Sequence, residues 1–352
     1  MNPRSVTLRD VAKLAGVHPA TASRALNEEA RARGLVNPDT VARVMRAAQE
    51  LDYHPDPVAR SLKTRRSHTV GVVIPDLTNP LFPPIVRGIE DRLAQSGYVV
   101  LLGNTDNDSE REKLVLTSMR SRRVDALVLA TARRRYNLLA ELNLSDLPMV
   151  LVNRVVDDKA IPSVATDDVA GIGMAVAHLV ALGHTRIAHV AGPQALSTGA
   201  GRHNGFLLGM EAAGLEPDPA LITFAEAFSV AEGVRCARAL LAGRVRPTAI
   251  VAGNDMLAIG CYQAIEESGL KCPADISVVG FNDIPFSNRL SPPLTSVRFP
   301  HYQVGIEAAQ LVLERIQSPN GPTKILFLPP ELVVRGSTAR ANGAASTSRN
   351  IP

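Results

Sequence analysis

Thr7-Leu8-Arg9-Asp10-Val11-Ala12-Lys13-Leu14-Ala15-Gly16-Val17-His18 runs without a break into Pro19-Ala20-Thr21-Ala22-Ser23-Arg24-Ala25-Leu26-Asn27. Behind Thr7, a good N-cap, the apolar residues Leu8, Val11, Ala12, Leu14 and Ala15 recur at helical spacing. Gly16 accepts positive φ and ends that helix within a residue. Pro19 suits the first turn of a second helix, where its missing N–H costs nothing. Two short helices joined by a turn of about 3–4 residues form a helix-turn-helix. The second helix sets Thr21, Ser23 and Arg24 beside inward Ala22, Ala25 and Leu26, a face suited to a DNA major groove.

Working outward, a third helix is expected over Pro38 to Leu51, with Val41, Val44, Ala48 and Leu51 turned inward. The connection from Asn27 to Asn37 carries Arg31 and Arg33, either on a phosphate-contacting loop or simply solvated. Asp56 before Pro57 is a cap and first turn for a short helix reaching Lys63, and 64–67 reads as linker. Residues 1–70 hold 12 Lys/Arg against 7 Asp/Glu, a surplus of five positive charges. The whole chain is only +4, so residues 71–352 carry a net −1. A basic head on a near-neutral body is the electrostatic footprint of DNA binding.

From Thr69 the pattern alternates between strand-length apolar runs and amphipathic helical stretches. The runs are Val70–Ile74, Tyr98–Leu102, Ala126–Leu129, Met149–Val152, Arg186–Val190, Ala249–Ala252 and Ser277–Gly280. The helices fall near 85–95, 169–182, 202–213, 232–241, 256–268 and 302–315. Continuous apolar strands separated by helices indicate parallel sheets covered on both faces. About 270 residues is long for one sheet, so two doubly wound lobes with a cleft between them are expected. The fold class is thus a small all-α helix-turn-helix head plus an α/β body of two doubly wound parallel-sheet lobes.

Bulk properties exclude several classes. With 45% hydrophobic residues the chain has ample material for packed cores. Cys236, Cys261 and Cys272 have neither pairing nor metal spacing, which fits a reducing cytoplasm. The N-terminus has no apolar signal core, and no apolar run approaches the roughly 20 residues that span a bilayer. Gly171-Ile172-Gly173 faintly suggests a dinucleotide fingerprint, but Thr166-Asp167-Asp168 caps a helix already containing both glycines. No nucleophile elbow, Walker loop or metal cluster is visible, so neither an enzyme nor a cofactor is expected. From Gly336 the composition turns to Ser, Ala, Arg and Asn, expected to be disordered.

Residues 5–65 resemble the head of the lac-repressor family of bacterial transcription regulators. The resemblance rests on Leu8–Ala12, Ala15-Gly16-Val17, Thr21–Asn27, Leu51-Asp52-Tyr53-His54-Pro55 and Ala59–Thr64, and it continues to about residue 338. It implies a head at 1–55, a hinge helix and linker at 56–67, a periplasmic-binding-protein-like sensor at 68–338 and a tail at 339–352. It further implies a cytoplasmic homodimer on a palindromic operator in double-stranded DNA, controlled by a small-molecule effector and most readily a repressor. A solute-binding protein of the transport class is the rival, but it predicts a signal peptide and no basic head. Repression and activation differ by operator position, which no sequence of the regulator carries.

The resemblance also assigns residues. Pro19 and Ala20 occupy the positions that vary with operator sequence, and neither can donate a hydrogen bond, so apolar contacts are expected. Arg24 is the bidentate reader of a guanine, while His18, Thr21 and Ser23 fix the DNA backbone. Asn27 closes this DNA-binding set. His18 replaces the usual Ser, which removes the customary hydroxyl cap. Leu62 is the minor-groove wedge and Ala59 the small residue where paired hinge helices touch. In the cleft, Phe82 and Phe228 pack on the effector, Arg202, Asn254 and Asn282 make polar contacts, and Thr198 and Arg154 are additions. Leu196 stands where a purine-binding member has Arg, Ala200 where a sugar-binding member has Arg, and Asn282 where both have Asp. Loss of that acid beside Arg202 suggests a carboxylate or sugar phosphate.

Overall fold

The structure, a computed structural model, describes residues 6–27, 31, 33–53, 66–144 and 146–341. The chain divides into two compact units, 1–67 and 68–352. The first contains helices α1 (Leu8–Leu14), α2 (Pro19–Leu26) and α3 (Pro38–Glu50). Asp10 at the third position of α1 accepts the N–H and the hydroxyl of Thr7, at 2.9 and 2.7 Å. It ties down an otherwise orphan donor and places a carboxylate at the positive end of the helix. Gly16 has φ +63°, as its turn requires. Val11, Ala12, Ala15, Ala22, Ala25, Val44, Ala47 and Ala48 form the core, mostly small side chains because the three helices approach closely. Leu14, counted among the apolar positions of α1, is 48% exposed. The expected hinge, with Asp56, Ala59 and Leu62, lies outside the described residues.

The second unit holds two six-stranded sheets. The first has spatial order β11-β5-β4-β3-β1-β2. It comprises β1 (Thr69–Ile74), β2 (Val99–Asn104), β3 (Ala126–Leu129), β4 (Met149–Val152), β5 (Ser163–Thr166) and β11 (Ile325–Leu328), all parallel. The second has order β12-β10-β9-β8-β6-β7. It comprises β6 (Ile187–Ala191), β7 (Ile222–Phe224), β8 (Ala249–Ala252), β9 (Ser277–Asn282), β10 (Thr295–Arg298) and β12 (Glu331–Val333). Its β12 runs antiparallel to β10, the exception to the expected all-parallel lobes.

The chain passes between lobes after β5, after β10 and again between β11 and β12. Alternate strand residues feed two cores. In the first sheet, Val70, Val72 and Ile74 pack beneath helices α4 (Phe82–Ala94) and α11 (His301–Gln317). Val73, Leu127 and Leu129 pack instead on Leu116 and Met119 of α5 (Ser109–Ser121). This period-2 burial on both faces explains why the strands read as unbroken apolar runs. A short α6 (Leu138–Glu141) follows β3. The second lobe is covered by α7 (Asp168–Ala181), α8 (Ser197–Ala212), α9 (Val230–Leu241) and α10 (Asp255–Glu267).

Two expectations are corrected. Helix α8 begins at Ser197, not near 202, so Thr198 and Arg202 stand on its first two turns and not in a loop. The expected tail from Gly336 is built into the second lobe as far as Ala341. Ser337 donates to the Val278 carbonyl and accepts from the Thr295 N–H, at 2.6 and 2.8 Å. The Ala339 N–H reaches Ser277 Oγ, and the Ala341 N–H reaches the Leu182 carbonyl, both at 3.0 Å. Polar composition misled here, because the polar side chains and backbone satisfy the buried end of the sheet.

Candidate functional site: recognition helix and cleft

His18 caps α2 despite lacking a hydroxyl: its Nδ1 accepts the Ala20 N–H at 3.2 Å. Buried Ala22 and Ala25 face the head core and turn Ala20, Arg24 and Asn27 outward. These residues are spaced i, i+4, i+7 and therefore share one face. His18 is exposed beside them, and Pro19, Thr21 and Ser23 are half-buried at its borders. Asn27 is also the residue that ends the helix.

In the sensor, Phe82, Arg154, Thr198, Arg202, Phe228, Asn254 and Asn282 all line one cavity. Most stand in βα turns or on the helix turns that follow β1, β4, β6, β8 and β9, where doubly wound sheets gather ligands. Gly192 and Gly199 make the β6–α8 turn possible. A Cβ on Gly192 would lie 2.3 Å from the Phe228 ring, and one on Gly199 would lie 2.0 Å from the Pro193 carbonyl. Phe82 is 2% exposed and belongs equally to the core of the first lobe, whereas Phe228 is half-buried. Asn254 caps α10 by accepting the Leu257 N–H at 2.9 Å, which leaves its amide donors for another partner.

Arg202 differs from expectation. Its guanidinium is 2% exposed and carries its own counter-ion, with Nε 2.7 Å from Asp168 Oδ1. Nη1 donates to the Gly253 carbonyl at 2.8 Å, Nη2 approaches Asn282 Oδ1 at 3.4 Å, and the group stacks 3.8 Å over the Phe281 ring. A guanidinium so satisfied is a strut of the cleft and a poor clamp for a further anion. Burial pushes the Asp168 carboxyl up to about 6, opposed by Arg202. The sequence named Asp168 only as a cap and missed this pairing.

The end of β9 is strained. Asn282 has φ +114° and Asp283 φ +51°, both in the left-handed region. Asp283 is clamped by Arg298 and Arg335 at 2.6 and 2.7 Å, and its N–H reaches Ser296 Oγ at 3.1 Å. Asp255 accepts the Ile284 N–H at 2.8 Å and the Ser296 hydroxyl at 2.6 Å. Both acids orient the loop that presents Asn282. Burial lifts the Asp255 carboxyl to about 7.

Across the cleft, Arg154 is buried and donates from Nη1 to the Thr131 carbonyl at 3.2 Å, while its Nε has no partner. Burial lowers its guanidinium to about 10. The Asn153 side-chain oxygen is likewise buried without a partner. Gly171 and Gly173 lie inside α7, as anticipated when the dinucleotide reading was set aside, and a Cβ on Gly171 would meet Phe281 at 2.6 Å. Among the described residues no group of His, Cys, Asp and Glu could hold a metal, and no helix is long and apolar enough to cross a membrane.

Residues 7–56 match the family of bacterial regulatory proteins, lacI family, and residues 176–338 match the periplasmic binding protein-like domain. The ribose operon repressor of Halalkalibacterium halodurans is 36% identical over 332 residues, covering 94% of this chain and 97% of that protein. The HTH-type transcriptional repressor CytR of Escherichia coli is 32% identical over 339 residues, covering 95% and 96%. The lac repressor dimer bound to operator and the anti-inducer ONPF superposes with a TM-score of 0.83 at 29% identity, covering 96% of this chain and 100% of that one. All three are transcriptional regulators. A helix-turn-helix head, a two-lobed sensor and relatives matched along nearly their whole length lead to one conclusion: the chain belongs to the lacI family of bacterial regulatory proteins and is an effector-controlled, DNA-binding transcriptional repressor.

Proposed function

We propose that this repressor acts in the cytoplasm as a homodimer on a palindromic operator and responds to a neutral, hydroxyl-bearing metabolite held in the cleft. The convergence of Phe82, Arg154, Thr198, Arg202, Phe228, Asn254 and Asn282 on one cavity carries this reading. Pro19, Ala20 and Arg24 read base edges, with His18, Thr21, Ser23 and Asn27 at the backbone, and Leu62 and Ala59 serve the hinge. A single head reads too few bases, whereas two related by a two-fold axis read a palindrome.

The sequence favoured a carboxylate or sugar phosphate clamped by Arg202. The Asp168 partner of Arg202 argues against that clamp, since an incoming anion would compete with a carboxylate already 2.7 Å away. Uncharged hydroxyls instead match the mixture of amide, guanidinium and side-chain carbonyl groups around the cavity. The relative named for a ribose operon points the same way. Effector binding biases lobe geometry and thereby the spacing of the two heads, a coupling free energy between sites.

The test is release of labelled operator, followed by fluorescence anisotropy, during titration with neutral sugars, sugar acids and sugar phosphates. Release by neutral sugars supports the reading. Release by charged sugars alone, with the neutral ones inert, refutes it.

A further inference from the structure

The cleft continues past the residues that sequence analysis assigned. Beyond Arg154 and Phe228, which border both parts, it opens into a chamber of about 160 Å³. The part ringed by the seven expected residues holds about 30 Å³. The larger chamber is amphipathic: Phe228, Leu196 and Pro75 give apolar faces, and Glu112, Arg133 and Arg154 give charged edges.

Glu112 is its most telling wall. It stands on the first turn of α5, 5% exposed, and among the described residues no cation lies within ion-pair distance of it. It accepts a hydrogen bond from the Tyr136 hydroxyl at 2.5 Å. A carboxylate offers about four acceptor sites, so most of its capacity is unused. On the other wall the Arg154 Nε–H is buried without an acceptor. A spare acceptor and a spare donor that border one cavity call for a group that both donates and accepts. A second anion would be repelled by Glu112 and a cation by Arg154. A ring hydroxyl suits both, and the ring face suits Phe228 and Leu196.

We propose that this chamber is a second effector subsite, filled by a hydroxyl-bearing ring linked to the unit that Arg202, Asn254 and Asn282 hold. Glu112 fixes its specificity by accepting a hydrogen bond from that ring. The inference rests on the neutral-effector reading above and adds that the effector is a two-ring molecule of disaccharide size.

Isothermal titration of the full-length protein with cellobiose, maltose, lactose and sucrose, and with glucose, galactose and fructose, tests it. At least one two-ring sugar should bind about tenfold or more tightly than its single rings, the worth of one or two buried hydrogen bonds. Glu112→Gln keeps an acceptor for Tyr136 but turns a donor toward the chamber, and should erase that advantage. Leu196→Phe fills the chamber and should do the same while single-ring binding persists, with thermal unfolding reporting the fold of each variant. Equal affinity for one and two rings, unchanged by either substitution, overturns the subsite and leaves the neutral-effector reading intact. Failure of every sugar to bind or to release operator overturns that reading and the subsite with it.

Discussion

Arg202→Met is the sharpest perturbation of the cleft. It keeps a long apolar stem to pack on Phe281 but strips three things: the ion pair to Asp168, the donor to the Gly253 carbonyl and the contact with Asn282. Breaking a buried ion pair by removing one partner costs about 3–5 kcal/mol, because the other charge stays desolvated. Asp168 retains 12% exposure, which favours the lower end of that range. For a unit of this size the loss corresponds to a fall in Tm of roughly 6–20 °C. Asp168→Asn alone should cost a comparable amount by stranding the guanidinium. The double variant should recover most of the loss and remain about 1–3 kcal/mol below the parent, since the Gly253 carbonyl is still unsatisfied. Denaturant unfolding of the four proteins, followed by circular dichroism, gives the coupling energy. If the single effects add within about 0.5 kcal/mol, the pair is not a strut, and Arg202 returns as a candidate anion clamp.

Further outcomes follow from the same structure. Arg24→Ala should cost roughly 1–3 kcal/mol per half-site on operator and flatten preference at one base pair; equal weakening on random DNA would reduce Arg24 to a phosphate contact. Leu62→Ala should reduce operator bending in a gel-shift phasing assay while sensor unfolding stays unchanged, and full bending would remove the wedge. Burial depresses His189 to about 3, so its neutral form stabilises the fold above the unfolded pKa, and this is lost as pH falls below about 6.5. His189→Phe should therefore gain on the parent by about 1.4 kcal/mol per pH unit between pH 6 and 4, and a pH-independent gap would show an ordinary imidazole. Gly199→Ala should lower Tm and cleft affinity together, because its Cβ would sit 2.0 Å from the Pro193 carbonyl.

Much of the fold was legible because its strands are buried on both faces and its head helices carry strong punctuation. Each of the seven strand-length apolar runs lies on an observed strand, whereas the seven cleft residues came from the family resemblance. The strands not foreseen are β5, β7, β10, β11 and β12. Of these β7, β11 and β12 stand at or next to sheet edges with half-exposed side chains, so their patterns are mixed. Helix α5 was overlooked because Ser109–Ser121 is polar over most of its surface, with Leu116 and Met119 its buried apolar anchors. Missing α5 also hid Glu112. The Arg202–Asp168 pair joins residues 34 apart on two different helices, and no local pattern signals such a contact.

Each sheet draws a strand from the last stretch of the chain. β11 completes the first sheet beside β5, and β12 completes the second beside β10. During synthesis the first lobe must therefore wait, with β5 uncovered at its edge, while the whole second lobe is made. Residues 325–341 then seal both lobes within a few seconds of translation at typical rates. A chain stopped before Ile325 presents two unfinished sheets at once, so late premature stops should yield insoluble protein and not a shortened regulator.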